Sequence, residues 1–411
     1  MSLEPCVSDR VGVWMVGALG GIGTTLVVGA RAIARGLVSD TGLVTNRPEF
    51  ASLGLASLDQ LVFGGHDVRI SNYWASAYQI YKLSGSFDLE VLQELRSELD
   101  EISKNVRSGT IVNGGEAIES LLTDEAAGTA EPLADTITRL RRDLSEFRQA
   151  HDLQRVVVVN LASTEPDLAG GAQPLTSMTE LDAVIKADDR TSVRPSMLYS
   201  YAAFEEGCGY INFTPSMAAL CAPLANLAQD RGLPYMGNDG KTGETLVKSA
   251  LAPMFKHRNL QVLSWQGYNM LGDRDGEVLS NSENLASKVR SKDSVLQGIL
   301  GYPLHTHVGI DYVKSLDDLK TAWDFIHFSG FLDHKMSMQF VWQGCDAILA
   351  APLVLDMVRF TDLALRDGHG GPMEHLSCYF KSPIGVQQHD LHEQYQSLMQ
   401  FVAQRVAEPG T

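Results

Sequence analysis

No stretch of this sequence stays apolar long enough to span a membrane, and a membrane location is not expected. Met1 to Arg10 carry acids and a proline where a secretory leader would carry a basic and then an apolar region. Cysteine is scarce. Five residues (Cys6, Cys208, Cys221, Cys345 and Cys378) lie far apart with no CxxC spacing, which argues against a disulfide framework and a thiolate zinc site and fits a reducing cytoplasm. Positive charge is in deficit as well: 33 Lys and Arg against 50 Asp and Glu give a formal net charge of −17. That field opposes nucleic acid and anionic membranes, so an anionic ligand needs local cations. Lysines are sparse early, at Lys82, Lys104 and Lys186, and then crowd the second half from Lys241 and Lys248 to Lys381.

What is present is an ordinary globular balance, 44% hydrophobic and 20% charged, in 411 residues, a length at which two domains are the first expectation. Gly12 to Val16 reads as a buried strand and Thr24 to Arg35 as a helix, with glycines between them. Strand-like runs at Leu61–Phe63, Val156–Leu161, Tyr210–Asn212 and Leu233–Met236 alternate with helical stretches. The helices are expected at Leu89–Val106, Leu133–His151, Met197–Glu206 and Met217–Asp230. This alternation predicts an α/β fold with a parallel sheet. Beyond Leu260, strands at Val262–Leu271, His305–Val313 and Met336–Trp342 suggest an α+β insertion, after which a long helix, Cys345 to Asp367, returns. The polar stretch Arg107 to Pro132 reads as a mobile loop or a poorly ordered hairpin.

The loop Gly17-Ala18-Leu19-Gly20-Gly21-Ile22-Gly23 lets a pyrophosphate approach the backbone and the N–H groups of a helix N-terminus. Its spacing is GxxGGxG, not GxGxxG, and alone it is a weak signal, because such a turn also serves plain packing. For the ribose, Asp67 after the second strand is a better candidate than Asp40, which sits in a turn. Two further loops follow strand ends: Asn160 to Glu165, and Gly237 to Thr245. The second either holds a cofactor or caps the helix from Thr242 onward, and spacing does not separate these readings. Lys288 and Lys292 are four apart, on one face if helical. Lys381, flanked by Tyr379, Phe380 and Pro383, is either a snorkelling surface lysine or a desolvated amine able to move protons. His305, His307, His369, His375, His389 and His392 show no zinc-site spacing and read as surface or structural.

Taken together, GNDGKTGETLVKS (237–249), WQGYNMLGDRDG (265–276), SKVRSKD (287–293), QFVWQGCDAILAAPLVLDM (339–357) and YFKSP (379–383) resemble the myo-inositol-1-phosphate synthase family, its archaeal branch above all. NLASTEP and EEGCGYINFTPS add to the likeness. The resemblance implies a redox-neutral carbocyclisation. NAD-dependent oxidation at C5 of glucose 6-phosphate precedes enolisation at C6, aldol attack of C6 on the C1 aldehyde, and return of the hydride. It assigns catalysis to Lys288, Lys292, Lys320, Lys381 and Asp275. Lys288 near Asp275 would relay the C5 hydroxyl proton, Lys292 and Lys381 would hold the phosphate and developing oxyanions, and Lys320 the C1 oxygen. It assigns NAD binding to Gly17, Gly20, Gly21, Ile22, Gly23, Asp67, Ser163, Thr164, Asn238, Asp239, Thr242 and Asp346. Tyr268, Asn269, Lys292, Lys320 and Lys381 are the implied sugar-phosphate contacts.

The resemblance also implies a Rossmann-like NAD-binding domain, residues 1–241 with 347–411, an inserted catalytic and oligomerisation α+β domain, residues 242–346, and a homotetramer. It leaves open whether a divalent metal or a monovalent cation assists the phosphate. Three positions depart from the family pattern: Gly267 stands where Ser is usual, Leu319 where a small polar residue precedes the lysine, and Lys314 where Pro is expected. Loss of hydroxyl-binding groups changes which sugar a pocket holds. Fructose 6-phosphate closing to a five-membered ring is therefore an alternative to glucose 6-phosphate.

Overall fold

The computed structural model describes residues 10–125, 127, 131–168, 175–272, 295–317 and 319–407. β1 (Val11–Val16) is buried at every position, the mark of a central parallel strand covered on both faces. Val11, Val13 and Met15 pack under the helices Gly21–Ala34, Leu89–Ser103 and Asp346–Arg366, while Trp14 and Val16 face the helices Leu133–Ala150 and Pro195–Glu205. Around β1 run β2 (Leu61–Asp67), β3 (Val106–Ser108), β4 (Arg155–Asn160), β5 (Gly209–Asn212), β6 (Pro234–Met236) and β11 (Gly371–Pro372). Their order is β11-β6-β5-β4-β1-β2-β3, and every pairing is parallel.

The order reverses between β1 and β4, and open α/β sheets bind ligands outside the strand ends at such a switch point. Val16 stands opposite both His66 and Asn160, so the chains leaving β1, β2 and β4 emerge at one rim. The His66 carbonyl accepts from Gly17 N at 2.9 Å and Ala18 N at 3.1 Å, which pins the glycine loop to β2. The His66 ring accepts at Nδ1 from Trp14 Nε1 (3.0 Å) and so donates from Nε2 to Asp143 (3.1 Å). Burial lowers its pKa, which keeps it neutral in this structural role.

The second sheet has the order β10-β9-β7-β8, built from β7 (Gln261–Leu271), β8 (His305–Tyr312), β9 (Lys320–Ser329) and β10 (Lys335–Gly344). β7 and β8 are parallel, so a crossover must join them; its described part is a helix at 295–300. Val295, Leu296 and Ile299 of that helix pack with Phe255, Trp265, Ile326 and Phe328 into a separate core.

Several expectations need correction. β9 went unread as a strand because buried Asp324 interrupts its apolar alternation; Asp324 accepts from Trp265 Nε1 at 2.6 Å. β3 and β11 are too short to leave a periodic signal. Met217–Asp230 divides into a 3-10 turn, Met217–Leu220, and a helix, Ala222–Asp230, that starts afresh with Pro223 in its first turn. The stretch after Arg107 is no bare loop: it carries the end of β3 and the helix Glu116–Glu119. Thr110 N donates to the Tyr199 hydroxyl at 2.7 Å, and Asn113 Nδ2 to the Val193 carbonyl at 2.8 Å.

Candidate functional site

A cleft of about 530 Å³ opens at the rim and runs from the glycine loop to the edge of the second sheet. Gly17, Gly20, Gly21 and Ile22 line it, and the helix Gly21–Ala34 starts there with no side chain capping it, leaving its first N–H groups for an anion. Asp67 ties the loop down: its Oδ2 accepts from Leu19 N at 2.7 Å, and its Oδ1 from Arg69 N at 3.0 Å and Arg69 Nε at 3.2 Å. Val68, Ile80, Leu83, Ile118 and Leu121 give this end a largely apolar slot of the kind an adenine ring fills. Asp40 accepts from Asn46 on an exposed loop, outside the cleft.

Beyond the glycine loop, Ser163 and Thr164 line the middle of the cleft and Asp239, Thr242, Asp346, Lys320 and Lys381 its inner end. The loop at 238–241 is zipped to residues 379–382. Asn238 N donates to Ser382 O (2.8 Å), Lys381 N to Asp239 O (2.7 Å) and Lys241 N to Tyr379 O (2.8 Å). Gly240 is required here, since a β-carbon would overlap the Phe213 ring. Lys381 Nζ then meets Asp239 Oδ1 at 2.8 Å with both side chains buried, and Lys320 Nζ meets Asp346 Oδ2 at 2.8 Å. A β-carbon on Gly243, at the start of the helix Gly243–His257, would lie 3.4 Å from Lys320 Nζ, so that helix N-terminus adjoins the second pair. The Thr242 hydroxyl caps nothing. The buried Thr245 hydroxyl lines the cleft without a hydrogen-bond partner among the described residues.

The remaining expected site residues fall elsewhere. Gly23 lies inside the first helix, packed on the Ala18 carbonyl. Asn238 sits beneath its loop, accepting from Asn212 Nδ2 at 2.6 Å. Asn269 is one layer behind the cleft, donating from Nδ2 to Glu244 Oε2 at 2.6 Å. Tyr268, its neighbour on β7, points to the opposite face of the sheet and stacks on Trp323. Asp275, Lys288 and Lys292 lie outside the described residues.

Sequence reasoning missed Glu244, Lys314 and Glu165, all on the cleft. Glu244 pairs with Lys248 in full burial, and a β-carbon on Gly267 would overlap its carboxylate, so glycine at 267 leaves room for this acid. The i,i+4 spacing of Glu244 and Lys248 was a readable signal. Lys314, Tyr312 and Asp317 close the far end. Among the described residues, no group of three or more His, Cys, Asp or Glu could hold a metal ion.

The comparisons with known proteins agree with this geometry. A family model described as myo-inositol-1-phosphate synthase, an NAD-binding family, matches residues 11–403. The chain belongs to the myo-inositol-1-phosphate synthase family. It is 32% identical to inositol-3-phosphate synthase 1 of Bacteroides thetaiotaomicron, over 98% of this chain and 96% of that one. Among solved structures it is similar in fold to the inositol-3-phosphate synthase of Caenorhabditis elegans, with a TM-score of 0.83 and 24% identity over 96% of this chain and 85% of that one. A synthase-related protein of Thermotoga maritima gives a TM-score of 0.77 at 20% identity, over 96% and 98%. As a member of the synthase family the chain is an enzyme of the carbocyclase type with NAD as its cofactor. The glycine loop, the uncapped helix start and the apolar slot fit that dinucleotide.

Glu165 supports the middle of the cleft. It accepts from Ser196 N (2.8 Å) and Ser196 Oγ (2.5 Å), joining the Ser163–Thr164 loop to the helix Pro195–Glu205. Burial raises its carboxyl to about 7 against the pull of the Ser196 donors and of Arg194. With a folded pKa above the ordinary 4.5, the folded state retains a proton that the unfolded state has lost. Stability therefore falls as pH rises from about 4.5 to about 7 and levels off above. Glu165→Gln should flatten that fall, by up to roughly 3 kcal/mol, in urea denaturation from about pH 5 to pH 8. Parallel pH profiles for variant and wild type would contradict the assignment.

Proposed function

We propose that this enzyme converts glucose 6-phosphate to an inositol phosphate by intramolecular aldol closure, with NAD alternately accepting and returning one hydride. The observation that carries the reading is the pair of lysine–aspartate contacts, Lys381–Asp239 and Lys320–Asp346, where the dinucleotide cleft meets the second sheet. A simple dehydrogenase needs one proton acceptor beside its hydride; a cyclase must also hold a phosphate and stabilise enolate and aldolate oxygens. Two ammonium groups held by carboxylates meet that need without leaving buried charge uncompensated.

Bound NAD supplies the hydride transfer at C5. Lys381, steadied by Asp239, is set to exchange protons with the sugar oxygens near the nicotinamide end. The start of the helix Gly243–His257, the Thr245 hydroxyl and Lys320 together form an anion site suited to the 6-phosphate. This favours the phosphate for Lys320 over the C1 oxygen. Lys288, Lys292 and Asp275 complete the catalytic set on the strength of the family phrases that contain them.

A second reading, fructose 6-phosphate closing to a five-membered ring, is favoured by Lys314 on the cleft and by the Gly267–Glu244 arrangement, both tied to departures from the family pattern. Assembly as a homotetramer is supported by the outward face of the second sheet. There Tyr268 and Trp323 stack at 5.7 Å, and the β9–β10 turn leaves Phe331 and Leu332 88% and 83% exposed. Light scattering should give four times the subunit mass, and a monomeric mass would refute the assembly. For the chemistry, the purified enzyme with NAD should turn glucose 6-phosphate into a cyclic inositol phosphate, seen by phosphorus NMR and mass spectrometry. A cyclopentane product from fructose 6-phosphate alone would establish the second reading, and inertness toward both substrates would remove the cyclase proposal.

A further inference from the structure

Dinucleotide folds choose between NAD and NADP at the end of the second strand. An acid there accepts the ribose hydroxyls of NAD and repels a 2′-phosphate, whereas a nearby arginine accommodates the phosphate. This chain carries both. Asp67 closes β2, and two residues on Arg69 folds back on it, with Nε at 3.2 Å and its own backbone N at 3.0 Å from the same carboxylate oxygen. The other oxygen is engaged by Leu19 N. The acid is thus charge-compensated and its orientation fixed, and its power to repel a second anion is largely cancelled.

Arg69 is held by Nε alone among the described hydrogen bonds, so its two terminal Nη groups stay available as a planar donor edge. The side chain is 17% exposed and lines the cleft, as Ser76 does, at the end with the apolar adenine slot. Asp67 and Arg69 are the charged residues lining that end; the other charged lining residues, from Glu165 to Lys381, belong to the middle and inner parts. A 2′-phosphate on the adenosine ribose would meet the Arg69 guanidinium there, and the one acid among the described residues lining that end, Asp67, is compensated by it.

We propose that Arg69 makes the adenosine end of the cleft accept a 2′-phosphorylated dinucleotide, so that this enzyme binds NADP as well as NAD. The proposal rests on the reading that the adenosine half of the cofactor lies along β2. Titration calorimetry of the purified protein, freed of nucleotide, with NAD and with NADP tests it without turnover. The wild type should bind both. Arg69→Ala should weaken NADP roughly 10- to 100-fold, as expected for loss of hydrogen bonds between charged groups, and change NAD by no more than about threefold. Arg69→Lys, which keeps the charge, should recover part of the NADP affinity. Binding of NAD with none of NADP to the wild type would overturn the proposal and leave the cofactor reading standing. So would an equal loss of both ligands in Arg69→Ala, since Arg69 would then only brace Asp67. Failure of both dinucleotides to bind would overturn the proposal and the cofactor reading together.

Discussion

The pairing of residues 238–241 with 379–382 governs the site. It is a short backbone ladder between two segments far apart in the chain, and it carries Asp239 and Lys381 into contact. An ammonium only 7% exposed cannot stand alone, because removal of a charge from water costs several kcal/mol unless a partner returns it. The ladder and the ion pair therefore depend on each other: backbone hydrogen bonds fix where the two side chains can meet, and the meeting makes burial of the lysine tolerable. Gly240 contributes by its missing side chain, which lets the ladder lie against Phe213 on the sheet.

Around that ladder the molecule solves a charge problem. On the proposed function, a chain with net charge −17 must hold an anionic sugar and a dinucleotide in one cleft. It does so locally, with positive potential at two helix starts that no side chain caps, Gly21–Ala34 and Gly243–His257, and with lysines whose charge is balanced by aspartates. The second sheet brings Lys320 at the first residue of β9, and the helix Asp346–Arg366 brings its partner Asp346 before returning to cover β4, β5 and β6. The proposed dinucleotide and sugar sites thus share one wall.

Much of the parallel sheet was legible in the sequence, because fully buried strands such as Val156–Val159 are unbroken apolar runs between polar segments. The glycine loop and Asp67 were legible for the same reason: they follow such strands. The flanking aromatics drew notice to Lys381 and the family resemblance gave Lys320 and Lys381 their roles, but their aspartate partners lie 26 and 142 residues away and pairing at that range leaves no local pattern. Tyr268 and Asn269 show the limit of reading phrases: adjacent strand residues face opposite ways, so both could not enter one pocket. Glu165 looked like an ordinary loop acid, and only the fold reveals that it is buried against Ser196. Arg69 was hidden because its meaning depends on the acid two residues before it.

The central claim is that one hydride leaves the sugar and returns to it within the same cleft. Glucose 6-phosphate deuterated at C5, turned over with unlabelled NAD, tests this directly. The account predicts a cyclised product that keeps its deuterium at the former C5, with no net accumulation of NADH. Release of NADH in step with an open-chain ketone, or a cyclic product without the label, would contradict it.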